Sequence, residues 1–413
     1  VKKVREGYKM TEIGEIPEEW SIVKLGSVIK SCSNGLSDKQ NREGKGVRVT
    51  RIETISNGII DINKVGYVET ERDLTDYKLH TGDILFSNIN SVEHIGKVAY
   101  VDKDYNLYHG MNLLRIRSDK DKIYDKYLYF LLCSYNARKY FRDNCKKAVN
   151  QASLNQEDLK RFVFALPSFT EQKKIAQILS TVDELIEKTD EIIEKTKELK
   201  KGLMQKLLTK GIGHSKFKMT EIGEIPEDWE VRRLDELADV IMGQSPDSST
   251  YNDVGEGIPF FQGKADFGTT YPTVRKWCIQ PTKISEPLDI LLSVRAPVGD
   301  VNINNVKACI GRGLAAIRAK RENDFKFIYY ALQQYKDIFD KVSQGSTFSA
   351  INSGELKALK LASPNKNEQR QIASILSAVD EKIEAEEKRK EQLLQLKKGL
   401  MQQLLTGRVR VKV

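Results

Sequence analysis

The dodecamer "KMTEIGEIPEEW" at residues 9–20 returns as "KMTEIGEIPEDW" at residues 218–229, changed only at Glu19 and Asp228. "EQKKIAQILSTVDE" (171–184) returns as "EQRQIASILSAVDE" (368–381), and "KKGLMQKLLT" (200–209) as "KKGLMQQLLT" (397–406). Weaker pairs lie between them: "GDILFS" (82–87) with "LDILLS" (288–293), and "YHGMNLLRIR" (108–117) with "CIGRGLAAIR" (309–318). The pieces come in the same order each time. The chain must therefore fold as two similar halves, a pseudo-two-fold molecule.

The repeated C-terminal piece of each half reads as a long helix. In 171–211, Ile175, Ile178, Val182, Leu185, Ile192, Leu199 and Leu203 step by threes and fours, with Thr189 and Thr196 filling two positions. In 368–408, Ile372, Leu376, Val379, Ile383, Leu393, Leu400 and Leu404 keep the rhythm, interrupted by Glu386 and Lys390. This is a coiled-coil seam, and neither segment contains proline. Each helix would run about 60 Å, at about 1.5 Å per residue. One small domain cannot cover such a stripe, so the two are expected to pair. The first helix leaves one globular half and ends at the other, so the second must run back, antiparallel. Its end then meets the start of the chain, as in a circular object cut open once.

The expected fold class is α+β. Two similar globular α/β domains are held apart by two long antiparallel coiled-coil helices, in a circularly permuted repeat. The boundaries read as 1–166, first globular domain; 167–211, first spacer helix; 212–364, second globular domain; 365–408, second spacer helix; 409–413, tail. Short β-rich runs such as "GVRVTRIE" and "DILLSV" alternate with Gly-containing loops in each domain. A helix follows in each, at 125–141 and 325–342. Its aromatic stripe reads as core rather than as a base-stacking platform. Pro17 and Pro226 fit an extended turn into each domain, and Trp20 and Trp229 read as core anchors.

With 413 residues and 40% hydrophobic content, two or three domains with real cores are expected. No run of about 18 apolar residues marks a membrane span, and no secretory leader pattern opens the sequence. Five scattered cysteines without C-x-x-C spacing point to free thiols in a reducing cytoplasm. The net charge is +9; the two helices carry +1 each, which leaves +7 for the rest of the chain. A polyanion such as DNA is the matching partner. The candidate contacts in the first domain are Lys39, Arg42, Lys45, Arg48, Arg51, Asn88, Asn90, His94 and Asn112. In the second they are Gln262, Lys264, Arg275, Arg295, Arg312, Gln344 and Thr347. Arg and Asn/Gln can grip base edges bidentately, whereas Lys mainly neutralises phosphate.

No recognisable reaction centre appears. His80, His94, His109 and His214 have no metal-ligand spacing, and there is no P-loop and no G-x-S-x-G elbow. "GRGLAA" (311–316) lacks a βαβ context and reads as a tight loop. Asp83 and Asp289 read as turn residues that open buried strands, not as a metal pair. A recognition or adaptor role is expected, and a stand-alone DNA-binding repressor or architectural protein is the alternative.

"TEIGEIPEEW" and "TEIGEIPEDW", "SVRAPVGD", "CIGRGLAAI", "EQRQIASILSAVDE" and "KKGLMQQLLTG" together resemble the specificity subunits of type I restriction–modification enzymes, along essentially the whole chain. The resemblance implies two target-recognition domains, each reading one half of a bipartite DNA sequence. It also implies helices that space the domains and dock two methyltransferase (modification) subunits, joined by restriction/translocase subunits. S-adenosylmethionine, ATP and Mg are expected on those partners, and no cofactor or catalysis on this chain. The first half has "SNINSVEH" and "YHGMN" where the second has "SVRAPVGD" and "CIGRG". The two half-sites are therefore expected to differ, giving an asymmetric target.

Overall fold

The computed structural model describes residues 4–56, 58–148, 151–343 and 350–412. The chain divides into two compact units, residues 1–189 with 389–413 and residues 190–388. Each is built the same way.

The duplicated dodecamer forms a β-hairpin in each unit. Tyr8–Thr11 pairs with Gly14–Pro17, and Phe217–Thr220 with Gly223–Pro226, in the same register. Even the side-chain ties repeat. Lys9 Nζ donates to the Glu18 carbonyl and Lys218 Nζ to the Glu227 carbonyl, each at 2.7 Å. The tryptophan that ends the segment is buried, Trp20 at 1% exposure and Trp229 at 0%.

The core of each unit is a four-stranded antiparallel sheet of one topology. In the first, the order is Ile29–Asn34, Leu114–Ser118, Ile84–Phe86, Val98–Tyr100. In the second it is Ala238–Met242, Leu314–Ala319, Ile290–Ser293, Val301–Ile303. The strands Ile84–Phe86 and Ile290–Ser293 are buried at every position, and so on both faces. The aspartate before each run shapes the turn. Asp83 Oδ2 accepts from His80 N at 3.0 Å and Asp289 Oδ2 from Glu286 N at 2.8 Å. Each also pairs with an arginine on the adjacent strand, Arg117 at 2.7 Å and Arg318 at 2.9 Å.

The aromatic helix covers one face of each sheet, and its stripe is core: Tyr127, Phe130, Phe327 and Tyr330 are all buried. The second-unit helix runs Phe325–Ser343. The first-unit stretch, expected as one helix over 125–141, is two: Asp125–Cys133 and Tyr135–Asn144. Ser134 breaks it, because its hydroxyl accepts from Ala137 N and caps the second helix.

The long helices are Phe169–Lys210 and Lys366–Leu404. They run antiparallel within each unit. In the first, Glu171 contacts Arg410 and Asp183 contacts Lys397. In the second, Lys197 contacts Glu387 and Lys200 contacts Asp380. The lysine of each "KKGLMQ" thus reaches the aspartate of the other helix's "VDE", and also lies over an aromatic ring, Phe130 or Tyr330.

In the second helix, Ile372, Leu376, Val379, Ile383, Leu393, Leu400 and Leu404 all lie on its buried or half-buried face. In the first helix, Ile175, Val182 and Leu203 lie on the covered stripe with Thr189 and Thr196, whereas Ile178, Leu185, Ile192 and Leu199 are one position out of phase. Leu185, Ile192 and Leu199 are 37%, 37% and 56% exposed, while Leu179 and Ile193 are at 0% and 4%. The covered series steps 175, 179, 182, 186, 189, 193, 196, 200, 203, a regular heptad. The paired apolar residues "IL", "LI" and "II" allow either phase, and helix geometry selects the second of each pair. The buried Thr189 and Thr196 hydroxyls are satisfied by the Leu185 and Ile192 carbonyls.

The "EQ" dipeptide that opens each long helix locks it to its domain. Glu171 and Glu368 accept from the indoles of Trp20 and Trp229, both at 3.0 Å. Gln172 receives Tyr124 N and donates to the Pro167 carbonyl; Gln369 receives Asp324 N and donates to the Pro364 carbonyl. A third residue closes each junction from the far end of a long helix. Arg410 bridges Glu171 and Glu19, and His214 bonds Glu368 Oε1 at 2.7 Å and contacts Asp228. Leu404 and Leu405 belong to the first core as Leu207 and Leu208 belong to the second. Tyr8 Oη donates to the Gly407 carbonyl at 2.9 Å. The C-terminal residues therefore do return to the start of the chain.

Candidate nucleic-acid interface

In the second unit, three loops converge at one end of the sheet. One is the turn 311–314, held by Gly311 N to the Phe261 carbonyl at 2.8 Å and Leu314 N to the Gly311 carbonyl at 3.0 Å. The second is the turn 262–266, whose Asp266 carboxylate accepts from Gln262 N at 2.7 Å. The third is the loop 294–300, anchored by Ser293, whose Oγ donates to the Pro297 carbonyl at 2.9 Å and accepts from Asp300 N at 3.0 Å. Together they line a cleft of about 470 Å³.

Four expected contacts, Gln262, Lys264, Arg295 and Arg312, line that cleft. Ser245 and Tyr251 line it too and were not expected. Ser245 sits just past the strand Ala238–Met242, at the sheet end where the other loops cluster, so its place was readable once the strands were assigned. Arg275 is exposed and does not line the cleft. Gln344 and Thr347 lie outside the described residues.

The charges in the cleft are unequal. Lys264 pairs with Asp300 at 2.5 Å, and Lys336 shares the same carboxylate. Burial pulls the Asp300 carboxyl up, but the hydrogen bonds and charges of the two lysines outweigh it and hold it below the usual carboxylate range. Arg295 and Arg312 are exposed, and neither guanidinium has an acid or hydrogen-bond partner among the described residues. Ser293 and Asp300 hold the 294–300 loop, so the Arg295 guanidinium is not what stabilises it. The cleft therefore presents two free guanidinium groups and one amide.

The first unit repeats the scaffold with other side chains. Gly110 N donates to Thr50 Oγ1 at 2.8 Å, where Gly311 N meets the Phe261 carbonyl. Sheet register aligns Leu114 with Ala315 and Phe86 with Leu292, so Ile89 stands at the Arg295 position and Met111 at the Arg312 position. The expected basic contacts are mostly engaged. Arg48 donates to the Tyr105 carbonyl at 3.0 Å, and Arg51 to Glu53 and Gln40. Arg42 pairs with Glu53 and Lys45 with Glu43 at the surface. Lys39 and His94 are exposed. Asn90 donates to Ser87 Oγ, and Asn88 has a buried amide oxygen with no hydrogen-bond partner among the described residues. Asn112 is exposed in the left-handed region, φ 66°, on the turn itself.

His109, beside that turn, is fully buried with Nε2 3.0 Å from the Leu113 carbonyl. Burial, then the Arg115 charge, push its pKa down to about 4 from 6.5. Between those values the unfolded chain takes a proton that the folded unit refuses. The stability associated with neutral His109 is thus complete above about pH 6.5 and falls as pH drops, by about 3 kcal/mol near pH 4. His109→Gln is expected to remove this acid-side loss in urea unfolding between pH 7 and 4. An unchanged pH slope would rule it out.

Among the described residues no cluster of His, Cys, Asp and Glu could hold a metal, all five cysteines are free, and no helix is long and apolar enough to cross a membrane. The family model of the type I restriction modification DNA specificity domain matches residues 17–198 and again 226–395. A Methanocaldococcus jannaschii protein described as the MjaX type I restriction enzyme specificity subunit is 49% identical, covering 98% of this chain and 97% of its own. The EcoKI specificity subunit of Escherichia coli is 31% identical over 42% of this chain and 39% of its own. A solved structure from work on complex assembly and conformational transition of the type I R-M system is 27% identical with TM-score 0.58, covering 95% of this chain and 99% of that one. The S subunit from M. genitalium shares the fold at TM-score 0.62 and 16% identity, over 98% of both chains. Matched twice over by one domain family and aligned nearly end to end with a specificity subunit, this chain belongs to the specificity subunits of type I restriction–modification systems.

Proposed function

We propose that each unit reads one half of a bipartite, asymmetric DNA sequence through the loop cluster at its sheet end. The subunit itself is non-catalytic. It works in a complex with the other restriction–modification subunits. Our reading of that complex is two methyltransferase subunits, which hold S-adenosylmethionine and methylate adenine, and restriction subunits that use ATP and Mg. The observation that carries the proposal is the repeated scaffold. Gly35, Gly46 and Gly110 in the first unit match Gly243, Gly257 and Gly311 in the second, and all six lie within 3.4 Å of neighbouring atoms where a Cβ would sit. The side chains displayed on that scaffold differ between units. A recognition device built twice needs one backbone and two sets of readers.

Mapping methylated adenines in DNA from cells carrying this chain with its methyltransferase subunit tests the reading. The expected result is a motif of two dissimilar specified blocks separated by unspecified bases. A single uninterrupted block would refute it.

A further inference from the structure

We infer that the half-site read by the second unit contains guanine, contacted by Arg295 and Arg312, and that the first unit does not read its half-site this way. The inference rests on the reading above that each loop cluster meets DNA. Its basis is what the cleft leaves unspent. Lys264, the third cation there, is tied to Asp300. Arg295 and Arg312 have no partner among the described residues, and both border the same 470 Å³ space as the amide of Gln262. Their backbones are fixed independently of their side chains. Arg295 lies opposite Ala350 in a β-bridge closed by Ile351 N donating to the Val294 carbonyl at 2.9 Å, and Arg312 N donates to Ser245 Oγ at 3.3 Å.

In the major groove a guanidinium matches guanine, whose O6 and N7 both accept; adenine offers N7 beside a donor, which suits an amide. Two arginines flanking one amide therefore favour a block containing G. The matching first-unit positions are Ile89 and Met111, which offer no donor. The asymmetry expected from the sequence thus acquires a chemical content.

The test uses the full chain assembled with its methyltransferase subunit, and reads sequence preference by methylome mapping. In the native complex, one half of the motif should contain at least one obligatory guanine. Arg312→Gln and Arg295→Gln should each relax preference at a guanine in that half by about tenfold, with the other half unchanged. Arg321→Gln, at an exposed arginine past the far end of the strand Leu314–Ala319, should leave both halves as they were. A uniform loss of methylation with no change in preference would mean that the arginines contact phosphate only, and would overturn the inference. So would a native motif in which the half whose preference is lost in Gly243→Ala, a change in the second unit's own scaffold, holds only A·T pairs, whatever the arginine variants do. Absence of any two-part motif would instead remove the underlying reading.

Discussion

Alanine in place of Gly243 is expected to abolish discrimination at one half-site while leaving the other intact. A Cβ at Gly243 would lie 2.2 Å from the Gly311 carbonyl oxygen and 2.8 Å from that of Leu314. Both neighbours are backbone, so no side chain can swing aside. The turn carrying Arg312 must move or the strand must part from it. Overpacking of this kind costs about 1–3 kcal/mol, roughly 5- to 150-fold in affinity if the displaced turn is the reader. The check is binding of the assembled complex to DNA with either half-site scrambled. Scrambling one half should weaken native binding but cost the variant nothing further, as expected when two changes remove the same interaction. Gly35→Ala is the reciprocal experiment, because its Cβ would lie 2.0 Å from the Gly110 carbonyl oxygen. It should blunt the opposite half-site. If each variant blunts both halves, the loop clusters are not independent readers.

Glu368→Ala is expected to destabilise the second unit by about 3–4 kcal/mol. The buried carboxylate receives Trp229 Nε1 at 3.0 Å, Ile212 N at 2.9 Å and His214 Nε2 at 2.7 Å. Removing it leaves these donors unsatisfied, each at about 1 kcal/mol or more. It also removes an acid from the first turn of a long helix, where the helix dipole favours it. Amide hydrogen exchange on the full chain can follow the two units separately. Protection should fall across 217–234 and stay unchanged across 8–25. Glu171→Ala should do the reverse, freeing Trp20 Nε1 and Arg410. Equal loss in both regions from either variant would show that the junctions are not local locks.

The repeated pieces exposed the architecture early because they are the parts with repeated contacts. The hairpin, the Trp–Glu lock and the Lys–Asp pairs use the same residue types in both copies. The seam register was harder. Adjacent apolar residues such as Leu185 and Ile186 fit a heptad equally well, and exposure alone separates them. The second helix held the answer, since Leu376 aligns with Leu179 and not Ile178. The second cleft was readable because Arg295 and Arg312 sit in tight Gly- or Pro-containing loops that cannot bury a guanidinium. The first was not. Arg48 and Arg51 belong to a dense basic run whose guanidiniums already bond within the unit, to the Tyr105 carbonyl, Glu53 and Gln40. Charge density in sequence does not show which cations have partners.

The C-terminal return to the first core has a consequence for how the protein is made. Residues 190–388 are contiguous, so the second unit has everything it needs once that stretch leaves the ribosome. The first unit does not. Its core includes Leu404 and Leu405, and its tryptophan junction waits for Arg410, 391 positions after Glu19. At about 5–20 residues per second of synthesis, the earliest segment stays open for roughly 20–80 s before its last wall arrives. The half of the chain synthesised first is thus the half completed last. A nascent chain stalled before residue 404 would present a finished second unit and an exposed Trp20 surface to chaperones.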